Sequence, residues 1–473
     1  MAELTHTPHR PKITPVNSPS EFDVAELFFS TTDRKGIIVS GNAVFVRVSG
    51  WHEDELVGAP HNIIRHPDMP RAVFQLLWQY LGAGRPIAAY VKNMAKDGRY
   101  YWVLATAVPL SDGYLSVRLK PTSDLLATVE PLYAELLAAE RAIEEAGGKP
   151  AQAMAASSAL LMERLGALGF DSYDAFMRVA LPAEIRARQA VLSQRGAAGT
   201  SRLIAGDGGG SGLAGARDAA RALSDYRYSQ FRILERYEQL HDVFLSKTEF
   251  VLQLADNVRL FSLNAQIGAA RLADAGAALG VIADIMRLRS DSTARLVRQL
   301  SDDFASIVAE LAELSFGLSV ATLQSEMTAQ YIEGLVAERG QSGHDAARHS
   351  LSASVRALSE ALRDGVGPAL GTLTALAAHL GDIGGTLEQL QSEMRHLDAL
   401  QVAGRVESAR LANAGEFRVL FEDIRAQIGT AREQLEGLAA LESIRNATLD
   451  AIADASIMRS LERLDAWAAR AAA

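Results

Sequence analysis

The chain changes character at Asp124, and that change constrains its fold more than any single motif. Upstream, apolar residues recur with a period of two in LFFSTTD (27–33), GIIVS (36–40), PIAAYVKNM (86–94), YYWVLATAVPL (100–110) and YLSVRLK (114–120). Period-two runs bounded by turn formers read as strands, and the KDGR and SDG separators predict antiparallel hairpins. NAVFVRVSG (42–50) and AVFQLLWQYL (72–81) carry helical spacing instead. Residues 25–124 are therefore expected to form an α+β domain, an antiparallel sheet with short helices, preceded by a flexible tail over 1–24.

Downstream, aromatics thin out and β-branched runs vanish, so nearly everything can be helix. Residues 125–195 read as a helical connector and the glycine-rich 196–216 as a linker with too little apolar area to fold. Beyond 217 the helices lack a broad apolar face and must pack in seams. Val251, Leu254, Val258, Phe261, Ala265, Gly268 and Leu272 fall at alternating steps of three and four, the spacing of a coiled-coil seam, with Ala265 and Gly268 small enough to draw two helices together.

An internal repeat arranges this helical part. AARLADAGAALGVIADI (269–285) and SARLANAGEFRVLFEDI (408–424) align without a gap, and each places Asp or Asn followed by Ala-Gly inside a helical pattern. Glycine just past a helix end is the usual stop, so each copy reads as the tip of an antiparallel hairpin. The expected organisation is one hairpin over 217–340 with its tip near 274–277, a second over 341–473 with its tip near 413–416, and a turn near ERGQSGHD (338–345), giving a coiled-coil or four-helix-bundle region. The alternative is one continuous helix through each glycine, at a cost of about 1 kcal/mol apiece.

The tally of 47 basic against 57 acidic side chains, a net charge of -10, disfavours nucleic acid as a partner. Without cysteine there is no disulfide, thiolate metal site or thiol nucleophile, as suits a reducing cytosol. No stretch approaches roughly 18 uninterrupted apolar residues, so a soluble, cytoplasmic protein without a membrane span is expected. The sequence offers no phosphate-gripping GxxxxGK[ST], metal cluster or nucleophile–base pair, and no enzymatic activity is expected.

One segment stands out against this background: PHNIIRHPDMP (60–70), a stiff polar loop with two histidines, an arginine and an aspartate. On its own residues it is a rigid turn before a helix, with Asp68 as cap for a helix from Pro70. Trp78, at helical spacing from Phe74, is by default core, and Tyr101 and Trp102 occupy the two faces of a strand. Asn42 can cap the helix beginning AVFV. His61 and His66 suit hydrogen bonding, with metal or haem as the alternative.

Several further motifs carry a resemblance. STTD (30–33), N-x-x-F-x-x-VSG-x-x-x-x-EL-x-G-x-PHN (42–62), RHPDMP (65–70), F-x-x-x-W (74–78), VKN (91–93), YWV-x-A-x-AVP (101–109) and VEPLY (129–133) together resemble the FAD-binding PAS domain of aerotaxis and energy-sensing receptors. LNAQIGAARLADAGAALGVIADIMR (263–287) looks like the kinase-control tip of methyl-accepting chemotaxis receptors.

The resemblance implies an FAD pocket bordered by Arg65, His66 and Asp68, with Trp78 in the same environment, Asn62 and Asn93 bonding a ring edge, and Asn42 among the cofactor-binding residues. Arg65 can grip phosphate bidentately, and Pro67 and Pro70 hold the loop at low conformational entropy. It implies a redox, oxygen or energy sensor whose bundle tips meet a chemotaxis histidine kinase and its coupling adaptor, with a homodimer as one assembly. The chain departs from the family at Ile87, Ala89 and Met94, where Trp, Gly and Arg are usual, and at Gly268-Ala269-Ala270-Arg271 and Ala277-Ala278-Leu279, where E-A-A-R and R-G-F are usual. Two rivals stand beside this reading: a scaffold with an empty PAS dimerisation module, and a flavoenzyme using the same pocket.

Overall fold

A computed structural model describes residues 13–195, 211–272, 276–338, 345–411, 415–436, 440–454 and 456–472. The period-two segments form β1 (Phe28–Asp33), β2 (Ile38–Gly41), β3 (Ile87–Met94), β4 (Tyr100–Pro109) and β5 (Gly113–Leu119). They make one antiparallel sheet in the order β2-β1-β5-β4-β3. Between β2 and β3 lie α1 (Ala43–Ser49), α2 (Glu53–Leu56), a 3-10 turn (His61–Ile64) and α3 (Arg71–Gly82).

Among the described residues every element after β5 is a helix: α4 (Leu125–Glu145), α5 (Pro150–Ala167), α6 (Tyr173–Gln194), α7 (Ser211–Arg271), α8 (Ala277–Glu338), α9 (Asp345–Arg410), α10 (Gly415–Glu436), α11 (Ala440–Ala453) and α12 (Ser456–Ala472). This is an α+β sheet domain followed by an all-α region. The chain divides into two compact units, Met1–Phe231 with Ala312–Ala369 and Ala455–Ala473, and Arg232–Leu311 with Leu370–Asp454.

In the first unit both faces of the sheet are buried. Register pairs Asn93 with Tyr101, Ala89 with Ala105, Ala105 with Arg118 and Phe28 with Arg118, which puts these residues on one face. That face looks toward α1, where Phe45 stacks on Phe28 at 6.2 Å between ring centroids. The opposite face carries Tyr90, Trp102 and Phe29, and the chain's later helices cover it. Tyr133 of α4 meets Trp102 and donates to the Tyr90 carbonyl at 3.1 Å. Tyr173 of α6 donates to the Ala88 carbonyl at 3.0 Å, and Tyr331 of α8 sets its ring edge-on to Phe29 at 5.2 Å. Ser354 of α9 reaches Ser40 at 2.9 Å, and Ser40 bonds Thr31 at 2.7 Å.

Buried charged groups lock this arrangement. The fully buried Glu184 on α6 accepts from Tyr90 Oη at 2.7 Å, from the Thr122 and Ser123 amides at 2.6 and 2.9 Å, and from both their hydroxyls. It thereby fixes the corner where the sheet ends and α4 begins. Arg188, one helical turn on, grips Glu326 of α8 bidentately at 2.7 and 2.8 Å and donates to the Val24 and Ala25 carbonyls. Gln330 of α8 completes the clamp by bonding the Ala25 carbonyl and the Leu27 amide.

Two expectations need correction. The flexible tail over 1–24 does not hold for its latter part: Val16 and Ser20 donate to the Gly98 and Tyr100 carbonyls at 2.8 and 2.6 Å, and Phe22 and Val24 are buried. Free backbone groups at the start of β4, together with two apolar side chains to bury, give that segment a place to dock; residues 1–12 lie outside the described residues. Likewise 211–216, read as linker, are the first turns of α7, while 196–210 lie outside the described residues.

In the second unit α7 and α8 run antiparallel, with Gln266 bonding Asp284 at 3.2 Å and Arg259 3.7 Å from Asp291. The seam residues Val251, Leu254, Val258 and Ala265 are buried. Gly268 lies under the ring of Phe417 on α10, and Gly404 on α9 under Phe421. The expected tips near 274–277 and 413–416 fall partly on 273–275 and 412–414, and the turn at 338–345 largely on 339–344, all outside the described residues.

Two stability effects are expected. Glu140 of α4, buried, accepts from the Arg71 and Ala72 amides at 2.8 and 3.2 Å and from Ser157 Oγ at 2.7 Å, so it caps α3 from another helix. Glu140→Ala leaves those donors bare and lowers stability by roughly 1–3 kcal/mol in denaturant titration. A Cβ at Gly404 would sit 2.2 Å from the Phe421 ring. Gly404→Val therefore costs roughly 1–3 kcal/mol by the same assay, whereas the same change at Gly429, with open space around it, costs less.

Candidate functional site

The sheet face beneath α1 holds an unusual collection of polar groups. Asn93 on β3 and Tyr101 on β4 are directly opposed, 3% and 2% exposed, and neither the Asn93 Nδ2 nor the Tyr101 hydroxyl has a hydrogen-bond partner among the described residues. Residues opposed in an antiparallel pair hold their Cβ atoms about 4.5–5.5 Å apart. Two unsatisfied donors thus stand side by side in the interior, each with a desolvation cost of roughly 1–3 kcal/mol.

Arg118 on β5 adds charge to this face. It is 3% exposed, lies over the rings of Phe28 and Phe45, and has no carboxylate partner among the described residues. Its Nη2 donates to His61 Nε2 at 2.7 Å and to Ser30 Oγ at 2.9 Å. A guanidinium can only donate, so Nε2 is the acceptor and the His61 proton sits on Nδ1. Desolvation, joined by the neighbouring Arg118 charge, holds the His61 pKa down at about 3, so the imidazole is neutral. Desolvation also lowers Arg118 to about 10, still cationic at neutral pH. The His61 ring stacks parallel on Phe45 at 6.3 Å. The site is a buried cation flanked by a neutral imidazole and two bare donors.

The polar loop forms the rim. A β-bridge joins Arg65 to Asn93, and the His66 amide meets the Lys92 carbonyl at 3.4 Å, bringing Arg65, His66 and Asp68 to the end of the sheet where Asn93 lies. Arg65 Nη2 donates to the Met69 carbonyl at 2.8 Å and the guanidinium lies 4.3 Å from the Phe74 ring centroid. His66, buried, accepts the Asp68 amide on Nδ1 at 3.1 Å, and desolvation and the Lys92 charge hold its pKa at about 4. Asp68 pairs with Lys92 at 2.9 Å and does not cap α3, a task that falls to Glu140.

Three of the sequence-selected residues stand apart. Asn42 caps α1 by accepting the Phe45 amide at 3.2 Å, accepts the Phe29 amide and donates to the Leu27 carbonyl, so backbone uses both ends of its amide. Asn62 is exposed on the 3-10 turn. Trp78 is 45% exposed and meets Tyr114 edge-on at 5.6 Å. Tyr114 opposes Pro109 in β4, eight residues along from Tyr101, or roughly 26 Å at strand rise, so Trp78 and Asn93 mark opposite ends of the face.

Of the family departures, Ile87 and Ala89 are buried on the same face as Asn93, filling a wall of the site with small apolar side chains. Sequence reasoning passed over Arg118 and gave Tyr101 only a packing role. The available signal was an arginine at an inward position of an otherwise apolar strand, legible only once the strand register was known.

No helix among the described residues is long and apolar enough to cross a membrane, and no group of three or more His, Asp or Glu could hold a metal ion among them. The family model for the PAS fold matches residues 38–116. The aerotaxis receptor of Escherichia coli strain K12 is 44% identical over 131 residues, 27% of this chain and 26% of the receptor, so the chain spans about a quarter of that relative's length. Among solved structures, a PAS domain from Colwellia psychrerythraea is 18% identical with TM-score 0.18, covering 20% of this chain and 85% of that one. A light-oxygen-voltage domain studied with a flavin analogue is 22% identical with TM-score 0.21, covering 24% and 90%. Residues 38–116 of this chain are a PAS domain, related in sequence to that of the aerotaxis receptor.

Proposed function

We propose that the chain is a cytoplasmic, non-enzymatic sensor whose PAS domain binds FAD and whose helical region relays the state of that flavin to a chemotaxis-type histidine kinase and its coupling adaptor. One observation carries the reading: two unsatisfied donors, Asn93 Nδ2 and Tyr101 Oη, face the same buried space as a guanidinium with no carboxylate partner among the described residues. The donor set suits a flat ring whose edge is rich in acceptors, and the site's cation suits a ring that gains negative charge. Bound there, FAD supplies reversible electron uptake.

In this reading Asn93 and Tyr101 orient the ring edge by donation. Arg118 supplies the positive potential, while neutral His61 holds the guanidinium in place without cancelling its charge. Arg65, His66 and Asp68 shape the rim, and Trp78 closes the far end. A change in charge beneath β4 and β5 alters what Tyr101 and Arg118 bond to, and the sheet to which these strands belong carries on its other face the residues that α4, α6, α8 and α9 cover. Signalling requires an element that feels the ligand difference between two states, and these helices meet that description.

The sequence similarity to the aerotaxis receptor supports the signalling role. An absorbance spectrum of protein expressed with ample riboflavin tests it: the visible absorbance of bound flavin is expected, whereas colourless protein that refuses added FAD overturns the reading in favour of a scaffold. Steady turnover of reduced nicotinamide with an acceptor would make the protein a flavoenzyme instead.

Two further outcomes follow from the site. Asn93→Ala and Arg118→Met each weaken FAD binding about tenfold or more, in line with the loss of one charge-assisted or buried bond, measured by flavin fluorescence titration. Trp78→Ala, at the exposed end, weakens it less. For pH dependence, the folded-state pKa of His61 lies below its ordinary 6.5, at about 3. The unfolded chain therefore takes up a proton that the folded chain refuses, and stability falls as pH drops from about 6.5, by up to about 1.4 kcal/mol per pH unit for this group. Denaturant midpoints between pH 6.5 and 5, above the carboxylate range, should show this slope and His61→Asn should reduce it.

A further inference from the structure

A second buried cation lies far along the chain from the flavin site proposed above and is independent of it. Arg227, in the first unit's part of α7, is 1% exposed, and Gln230 one turn on is fully buried. Arg227 Nη1 donates to Gln230 Oε1 at 3.0 Å, which fixes the guanidinium against the amide. Three further donors are bare: Arg227 Nε, Arg227 Nη2 and Gln230 Nε2 have no hydrogen-bond partner among the described residues.

The pattern of what is missing is informative. Nε and Nη2 form one complete edge of the guanidinium, the edge whose two parallel N–H bonds grip an anion bidentately. Among the described residues no carboxylate pairs with Arg227, and desolvation lowers its pKa to about 10. The nearby carboxylate of Glu326, which the next residue Tyr228 contacts, is already taken by Arg188 and Gln330. A guanidinium removed from water without a partner is among the costlier groups a core can hold, and buried charges are as a rule paired. Gln230 does not neutralise it; its oxygen orients the fork and leaves its own NH2 group as a further donor.

We propose that Arg227 and Gln230 form a binding site for a small inorganic anion, chloride or an oxyanion such as phosphate, enclosed within the helices of the first unit. The anion supplies the missing negative charge and accepts from the bare guanidinium edge and the amide. Binding to the folded chain and not to the unfolded one makes stability depend on anion concentration.

The test is thermal melting of the full-length protein at constant ionic strength, with gluconate, too large for an enclosed site, replaced stepwise by chloride in one series and by phosphate in another. The melting temperature is expected to rise with the logarithm of the bound anion; a rise in the chloride series alone marks a halide site, and one in the phosphate series alone an oxyanion site. Arg227→Met, which removes the unpaired charge and keeps an apolar stem, should melt at the same temperature throughout. Gln230→Leu should retain the dependence with its midpoint several-fold higher in concentration. A flat wild-type series, or an Arg227→Met series as steep as wild type, overturns the proposal. If Arg227→Met does not fold, crystals grown in bromide and in phosphate decide: an anion within hydrogen-bonding distance of Nε and Nη2 in either upholds the site, and its absence from both, or a carboxylate of the chain in that place, overturns it.

Discussion

A five-stranded antiparallel sheet with two apolar faces must be covered twice, and in this protein the second cover comes from far down the chain. Local helices α1 to α3 close one face. The other is buried by α4, α6, α8 and α9, whose contacts to Trp102, Ala88, Phe29 and Ser40 bridge up to about three hundred residues of sequence. The sheet domain therefore lacks an exposed outer surface along these strands. Its stability and that of the covering helices are one quantity, because an uncovered face would leave Phe29, Tyr90 and Leu104 in water.

The buried ionic groups show how that cover is held in register. Glu184 and the Arg188–Glu326 pair are worth little as net attraction, since desolvation offsets much of the Coulomb energy. Their value lies in specificity: a carboxylate with donors from Tyr90, Thr122 and Ser123 tolerates one placement of α6 against the sheet. A bidentate pair that also holds the Val24 and Ala25 carbonyls tolerates one placement of α8 against the strand entry. Loss of one partner would strand a charge in the core, so the helices cannot slide without an alternative arrangement of those bonds. An element of this kind has discrete positions, which a relay needs.

How far the sequence discloses all this depends on the range of each interaction. The strands were legible because period-two alternation and KDGR and SDG turns are local signals, and the helices because seams and caps are local too. Glu140, Glu184 and Arg188 carry no local mark of burial, since these partners lie 62 to 164 residues away. Asn42 shows the opposite case: its capping role was visible in AVFV alone, while its bond to the Leu27 carbonyl was not. Within the candidate site the loop residues Arg65, His66 and Asp68 and the strand residue Asn93 enter through the resemblance alone. Arg118 was missed because its significance is the lack of a counter-charge, a property of three-dimensional surroundings. Residues 16–24 were missed for a related reason, because docking on the start of β4 has no local signature.

The central claim is that one sheet reads a ligand on one face and reports it through helices on the other. Hydrogen exchange of backbone amides, followed by mass spectrometry on the FAD-loaded protein in its oxidised and reduced forms, tests it most directly. The account predicts a change in protection in α8 over residues 312–332 and in α6 around Glu184 and Arg188, alongside any change in β4 and β5. Exchange differences confined to α1, α3 and the 60–70 loop, with α6 and α8 unaltered, would contradict it.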